Sequence, residues 1–426
     1  MDMRHPTCEL LELLLLEWQK TARRETYCTP RSDAWTGAAQ LSCTSRLWLK
    51  AADEWRSGQI SVILESPDPA ACYVVSRYPQ ILSLDLQSCQ CFGLRGYDGQ
   101  PHLMGDDAPI RAILKGCPQL TELTIHNGLF PDSGFLPLET PALNCLHHLR
   151  LRGCRHLTGK ALLEIAKRCP QMLTLEFSGV CSPRGDKGAI TDDTVVALAK
   201  SCRQLRSLTL STAAGDCLTL RSIEGLVSDC RQIELIDLRQ CDGLSTPLVA
   251  LLGRSYAGLH VLRISDRGRL GPNEPPRVTD AALHDFAHGC SQLRELDVSE
   301  CHGLTEKALV SVAQSCPLRI LSIHANAATD SVLLALAACC PTTLRSLHAT
   351  SAHFTDDGFA ELARCCPGLQ VLELSYCRGV GSVGLHAVAA HCKDMRELSV
   401  YGCKDGVHRA IDAIISACPR LVKCRG

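Results

Sequence analysis

One sequence pattern recurs along most of this chain, and it constrains the fold more than any other feature. The pattern is Cys-Pro-x-Leu-x-x-Leu-x-Leu-x-x-Cys, and the first apolar residue after the Cys-Pro step of each copy is called the register residue. The register residues are Ile81, Leu120, Leu146, Met172, Leu205, Ile233, Leu259, Leu293, Leu318, Leu344, Leu369, Met395 and Leu421. Eight of the twelve steps between them are 25 or 26 residues long. A fixed period of this length indicates stacked copies of one structural unit.

Each copy predicts a short strand followed by a helix. The segment Leu293–Val298 alternates apolar and polar residues, which is typical of a strand with one buried face. The helix is expected to begin after a threonine that caps it and an acid that suits the positive end of the helix dipole. Such pairs are Thr191-Asp192, Thr279-Asp280, Thr305-Glu306, Thr329-Asp330 and Thr355-Asp356. The helix is expected to end at Cys-Pro, as at Cys316, because proline cannot continue it.

A unit of ~26 residues cannot bury its own apolar face, so neighbouring units must stack on one another. Strand stacked on strand gives a parallel sheet, and helix stacked on helix gives an outer layer. We therefore predict an α/β solenoid of about thirteen repeats over residues 59–426, with the parallel β-sheet on the concave side and the helices on the convex side.

The cysteines follow the same period. The chain has 27 of them, an odd number, and it shows no secretion signal, so a disulfide framework is not expected. Ten lie at the predicted helix ends: Cys117, Cys169, Cys202, Cys230, Cys290, Cys316, Cys340, Cys366, Cys392 and Cys418. Six lie eight residues after a register residue: Cys89, Cys154, Cys241, Cys301, Cys377 and Cys403. We expect reduced, buried thiols that pack the core, no metal site, and a reducing compartment, the cytoplasm or nucleus.

This pattern resembles the cysteine-containing subclass of leucine-rich repeats, over roughly residues 60–426. Proteins of that subclass are often substrate-recognition subunits of SCF-type ubiquitin ligases, with an F-box ahead of the repeats. The resemblance therefore implies a subunit that binds a protein substrate on the concave face and on one rim of loops. It also implies the SCF adaptor and a cullin as partners.

Residues 1–58 do not repeat, and two of their segments resemble an F-box. Residues 6–11 are similar to the family's Leu-Pro-x-Glu-Leu-Leu opening, and residues 45–52 are similar to its Cys-Arg-x-Trp-x-x-Leu-Ala segment. The resemblance implies adaptor contacts by Pro6, Glu9, Leu10, Leu11, Trp18, Arg46 and Trp48. The apolar residues alone also fit a helical cluster that only caps the first repeat, or a docking helix for another complex.

The substrate is expected to contact side chains between the strand leucines. The candidates on the strands are Arg150, Arg152, Glu176, Leu235, Asp237, Arg239, Val261, Arg263 and Asp297. Three long repeats carry insertions between strand and helix, and one of these adds Arg267 and Arg269. A merely solvated surface and tolerated loop growth stay open as alternatives.

The charge and the motifs disfavour other classes of function. The net charge of −1 gives no reason to expect binding to nucleic acid or to an anionic membrane, and no apolar run is long enough to span a bilayer. The sequence has no phosphate-binding loop and no nucleophile elbow, so we expect neither catalysis nor a cofactor. A leucine-rich-repeat scaffold or structural subunit outside the ligase system is the alternative to the ligase subunit.

Overall fold

The structure is a computed structural model, and it describes residues 61–64, 80–86, 108–128, 130–136, 141–154, 156–179, 190–211, 218–241, 243–265, 276–324, 328–404 and 406–425. It divides into two units, Met1–His156 and Leu157–Gly426. Several predictions fall outside the described residues: the F-box-like segment with Pro6, Glu9, Leu10, Leu11, Trp18, Arg46 and Trp48, the domain boundary at residue 58, and Arg267 and Arg269.

The first unit contains four parallel strands that pair in chain order. They are β1 Ser61–Leu64, β2 Ser83–Leu86, β3 Glu122–His126 and β4 His148–Arg152, and the helices are α1 Ala108–Gly116 and α2 Pro141–Cys145, with a 3-10 turn at Asp132–Phe135. Strand β1 precedes the first register residue, so the described residues contain one strand more than the thirteen predicted. Its sequence, Ser-Val-Ile-Leu, lacks the alternation that marks the other copies.

The second unit contains ten parallel strands, each preceding a helix except the last. The strands are β5 Thr174–Ser178, β6 Ser207–Thr209, β7 Leu235–Leu238, β8 Val261–Ile264, β9 Glu295–Asp297, β10 Ile320–His324, β11 Ser346–Thr350, β12 Val371–Ser375, β13 Glu397–Ser399 and β14 Lys423–Arg425. The helices are α3 Gly159–Arg168, α4 Asp192–Ser201, α5 Leu220–Asp229, α6 Thr246–Ser255, α7 Asp280–Gly289, α8 Glu306–Ser315, α9 Asp330–Cys339, α10 Asp356–Cys365, α11 Ser382–His391 and α12 His408–Ala417.

The repeated leucines form the core between the sheet and the helices. Leu262, Leu296 and Leu321 lie side by side on β8, β9 and β10, and all three are buried. On the helix side Leu309 and Val312 are buried as well. This confirms the predicted fold, a leucine-rich-repeat solenoid in which parallel strands alternate with helices. Among the described residues no helix combines the length and the apolar character that crossing a bilayer requires.

The threonines begin the helices as predicted, and the acids after them have a further role. All five threonines are N-cap residues, and the side chains of Thr191, Thr305, Thr329 and Thr355 accept a hydrogen bond from the first turn, whereas that of Thr279 does not. The Asp280 carboxylate accepts hydrogen bonds from the backbone N (2.7 Å) and the Oγ1 (2.5 Å) of Thr305, the cap of the next helix. Asp192 and Asp330 bind Thr219 and Thr355 in the same way. Each of these acids therefore links its own repeat to the next.

Removing one such link should measurably weaken the array. Asp330→Ala is expected to reduce the free energy of unfolding by about 1–2 kcal/mol, because Thr355 loses the acceptor for its backbone N and its hydroxyl. Urea denaturation followed by circular dichroism would measure this loss. The matched control is Asp357→Ala, which removes an exposed carboxylate of the next repeat and should change stability by less than about 0.5 kcal/mol. Equal effects of the two substitutions would contradict the linking role of Asp330.

The cysteines at the helix ends are buried, and they form a hydrogen-bonded ladder. The Cys230 thiol donates to the Cys202 carbonyl oxygen (3.3 Å), and the Cys340 thiol donates to the Cys316 carbonyl oxygen (3.4 Å). Tyr256 occupies the ladder position of its repeat, and its carbonyl oxygen accepts from the next thiol in the same manner. Burial raises the pKa to about 12 for seven of these thiols: Cys117, Cys202, Cys230, Cys290, Cys316, Cys366 and Cys392. These thiols therefore stay protonated and chemically inert at neutral pH.

Candidate protein-binding surface

Strands β7, β8 and β9 bring charged side chains together on the sheet. Asp237 lies opposite Arg263, which lies opposite Asp297 on the next strand. Two residues earlier on the same strands, Leu235 lies opposite Val261, which lies opposite Glu295. Adjacent parallel strands are ~4.8 Å apart, so side chains in each row can contact one another.

Asp237 is the most buried member of this group. Its side chain is 1% exposed, whereas that of Arg239 is 41% exposed. The Arg239 Nη2 and Nε atoms lie 2.8 and 3.1 Å from the two Asp237 carboxylate oxygens, and the Arg239 backbone N lies 3.1 Å from Oδ1. The buried charge is therefore neutralised and hydrogen-bonded by a residue two positions along the chain.

Further ion pairs join these residues into one charge network, formed by Asp237, Arg239, Arg263, Glu295 and Asp297. The Arg263 Nε lies 2.5 Å from Glu295 Oε1, and the Arg263 Nη1 lies 3.6 Å from Asp237 Oδ2. The Arg239 Nη1 lies 3.4 Å from Asp297 Oδ2. The hydrogen bond with Asp237 is the main cause that raises the pKa of the Arg239 guanidinium above its ordinary value. Three carboxylates and two guanidinium groups leave one negative charge in the network.

Internal ion pairs hold the charged side chains of this arrangement, a property that favours the binding of a protein segment. The side chains of Arg239 and Arg263 are 41% and 30% exposed, so a partner can reach both. Leu235 and Val261 are half-buried beside the network and offer aliphatic contact. Side chains held by internal ion pairs lose little freedom when a partner binds.

The other predicted strand residues are not members of the charge network. In the first unit Arg150 forms an ion pair with Glu122, which also accepts a hydrogen bond from the Ser83 Oγ atom at 3.0 Å. Arg152 is exposed at the end of β4. In the second unit Glu176 lies on β5, two strands before β7, and its Oε1 accepts a hydrogen bond from the Ser178 Oγ atom at 3.3 Å.

Sequence reasoning missed two acids, Glu122 and Glu295. Both stand two residues after a register residue, a position where the sequence predicted exposed aliphatic side chains. Each pairs with an arginine four residues after a register residue on a neighbouring strand. An acid two residues after one register residue, with an arginine four residues after the register residue of a neighbouring strand, can be seen when the repeats are aligned. This pattern would have identified both ion pairs. Over the described part of the chain, no group of three histidine, cysteine or acidic side chains could hold a metal ion.

Comparison with known proteins relates the chain to F-box proteins. No protein-family model matches it. It is 28% identical over 147 residues to the F-box protein SKIP1 of Arabidopsis thaliana, covering 34% of this chain and 45% of that protein. It is 23% identical over 218 residues to the F-box protein MAX2 homolog A of Petunia hybrida, covering 48% of this chain and 27% of that protein. The matches thus span less than half the length of either curated relative.

A solved structure of the yeast Rad7 and Elc1 complex contains a chain with a similar fold. The TM-score is 0.52 at 18% sequence identity, and the alignment covers 92% of this chain and 98% of that one. At this identity the similarity concerns the fold alone. Repeat pattern, fold and relatives together show that the chain is a leucine-rich-repeat protein resembling the F-box/leucine-rich-repeat family.

Proposed function

We propose that this chain is the substrate-recognition subunit of an SCF-type E3 ubiquitin ligase. The observation that carries the proposal is the charge network, whose side chains are held by ion pairs on a leucine-rich-repeat sheet. The F-box proteins among the curated relatives support the connection to a ligase. The chain itself is non-catalytic in this proposal, uses no cofactor, and works in the cytoplasm or nucleus, where its thiols stay reduced.

The substrate in this proposal is a protein segment that lies across β7, β8 and β9. It contacts the exposed parts of Arg239 and Arg263 and the aliphatic side chains of Leu235 and Val261. Further contacts are proposed for Asp237, Asp297, Arg150, Arg152, Glu176, Arg267 and Arg269. The adaptor is proposed to contact Pro6, Glu9, Leu10, Leu11, Trp18, Arg46 and Trp48, and catalysis would belong to other subunits of the ligase.

A binding experiment with purified components tests the ligase role. The full chain is expected to capture the SCF adaptor, and to capture the cullin when the adaptor is present. Substituting Leu10, Leu11 and Trp48 together by alanine is expected to weaken capture of both by about tenfold or more, because buried apolar anchors dominate such interfaces. Pull-down with increasing adaptor concentration would measure the change, and circular dichroism would confirm that the variant stays folded.

The matched control substitutes exposed apolar residues of the repeats. Leu334→Ala and Val383→Ala lie on α9 and α11, where both side chains are exposed, and they should leave adaptor capture unchanged. If the wild-type chain captures neither adaptor nor cullin, the ligase proposal is wrong. The array would then be a scaffold or structural subunit outside the ligase system.

A further inference from the structure

In the carboxyl-terminal half of the second unit, four arginines stand directly before strands. The residue directly after the register residue is arginine in four of five consecutive repeats, and the fifth repeat has Gln370. These arginines, called the arginine row, are Arg294, Arg319, Arg345 and Arg396. Arg294, Arg319 and Arg396 are exposed, and Arg345 is half-buried.

Backbone hydrogen bonds hold the arginine row in place. The backbone N of Arg319 donates to the Arg294 carbonyl oxygen (2.6 Å), and that of Arg345 donates to the Arg319 carbonyl oxygen (2.8 Å). Gln370 continues the series, since it donates to Arg345 (2.8 Å) and accepts from Arg396 (2.7 Å). At ~4.8 Å per strand, the row runs for about 19 Å from first to last member.

The guanidinium groups of the arginine row form no ion pair with a described carboxylate, although the Arg345 Nη1 atom donates to the Leu344 carbonyl oxygen (2.8 Å). Within residues 276–324 and 328–404, no carboxylate lies within 4.0 Å of any of the four guanidinium groups. Arg206 occupies the same position in an earlier repeat and does pair, with Glu234 at 3.0 Å. The acids that follow directly in the chain are engaged elsewhere, Glu295 with Arg263 and Glu397 with Lys423. The row is therefore a strip of uncompensated positive charge on a chain whose net charge is −1.

We infer that the arginine row docks an extended acidic segment of a partner protein. Guanidinium groups bind carboxylates through paired hydrogen bonds, and about six residues of an extended peptide cover ~19 Å. A single nucleic-acid strand would need aromatic side chains on which its bases stack, and no aromatic residue stands in this row from Arg294 to Arg396. This docking site is separate from the charge network, and it does not depend on the ligase role.

Peptide binding by the full chain tests the inference. The probe is a labelled peptide of alternating glutamate and serine, about eight residues long, which at ~3.3 Å per residue covers the row. Fluorescence anisotropy at low ionic strength is expected to show binding that weakens as salt is added. Substituting all four row arginines by glutamine is expected to weaken binding about tenfold, because each exposed ion pair contributes modestly.

The matched control removes the same charge from the helices. Substituting Arg221, Arg254, Arg364 and Arg409 by glutamine changes four exposed helical arginines and should leave peptide affinity within about twofold. A second variant changes only the exposed Arg294, Arg319 and Arg396 and keeps half-buried Arg345. It separates weaker binding caused by lost charge from weaker binding caused by lost folding. The inference is overturned by any of three results: no binding of the glutamate peptide, an equal loss in the control, or tighter row-dependent binding of an oligothymidylate of equal charge.

Discussion

Above about pH 9, six buried thiols of the second unit are together expected to cost it about 8 kcal/mol of stability for each further pH unit. The cause is the thiol ladder, in which burial raises the pKa of six thiols from 9.0 to about 12. Between these two pH values the unfolded chain releases the thiol protons, while the folded chain keeps them. The stabilisation is therefore complete below pH 9 and is lost as the pH rises towards 12, at about 1.4 kcal/mol per thiol and pH unit.

Urea unfolding at a series of pH values in the presence of a phosphine reductant would measure this slope. A variant with Cys230, Cys316 and Cys392 replaced by alanine lacks three of the six thiols, and its slope should be smaller by about 4 kcal/mol per pH unit, whatever its stability at neutral pH. An unfolding free energy that stays level between pH 8 and about 10 would mean that the ladder thiols titrate in the folded chain as they do in the unfolded one.

Replacing the buried carboxylate of the charge network should have the second largest effect. Asp237→Ala is expected to cost about 3 kcal/mol of folding free energy, because Arg239 and Arg263 lose a fully buried counter-charge. Because Arg239 is partly exposed, the expected loss of folding free energy lies at the lower end of the range for breaking a buried ion pair. Chemical denaturation at pH 7 would measure it, with circular dichroism as the signal.

Two further substitutions separate charge from shape. Asp237→Asn keeps the size of the side chain and should cost nearly as much as Asp237→Ala if the negative charge is what matters. Asp193→Ala removes an exposed acid that pairs with Arg221 at 2.8 Å, and it should cost less than about 1 kcal/mol. An Asp237→Asn protein as stable as the wild type would show that the ion pairs contribute little.

The fold was predictable because each repeat carries the same sequence features. The leucine spacing, the capping threonines and the Cys-Pro stops all agree, so the strand and helix of each copy could be placed from sequence. The links between repeats were harder to see. The acid after the threonine was expected to act on its own helix, yet Asp280 and Asp330 bind the threonine that caps the following helix. That contact joins residues 25 positions apart, and only the stacking geometry brings them together.

The candidate site was predicted in part. Asp237, Arg239, Arg263 and Asp297 were chosen as residues of the concave surface, and the structure joins them in one network. The exposure of these side chains was not predictable from the alternation of apolar and polar residues, because Asp237 occupies a polar position and is nevertheless buried beneath Arg239. Glu295 was missed because its contact with Arg263 depends on how neighbouring strands align. The F-box-like residues stay a prediction, because they lie outside the described part of the chain.

The carboxylate links between repeats all run the same way along the chain, from one repeat to the one that follows it. Asp192, Asp280 and Asp330 each complete the start of the helix that follows them, so a repeat needs its predecessor more than its successor. Trimming units from the carboxyl end would leave the starts of α5, α8 and α10 intact, whereas removing the preceding repeat from the amino end would expose them. The order of dependence matches the order in which a ribosome releases the chain. The carboxylate that supports each newly made repeat therefore belongs to a repeat that has already folded.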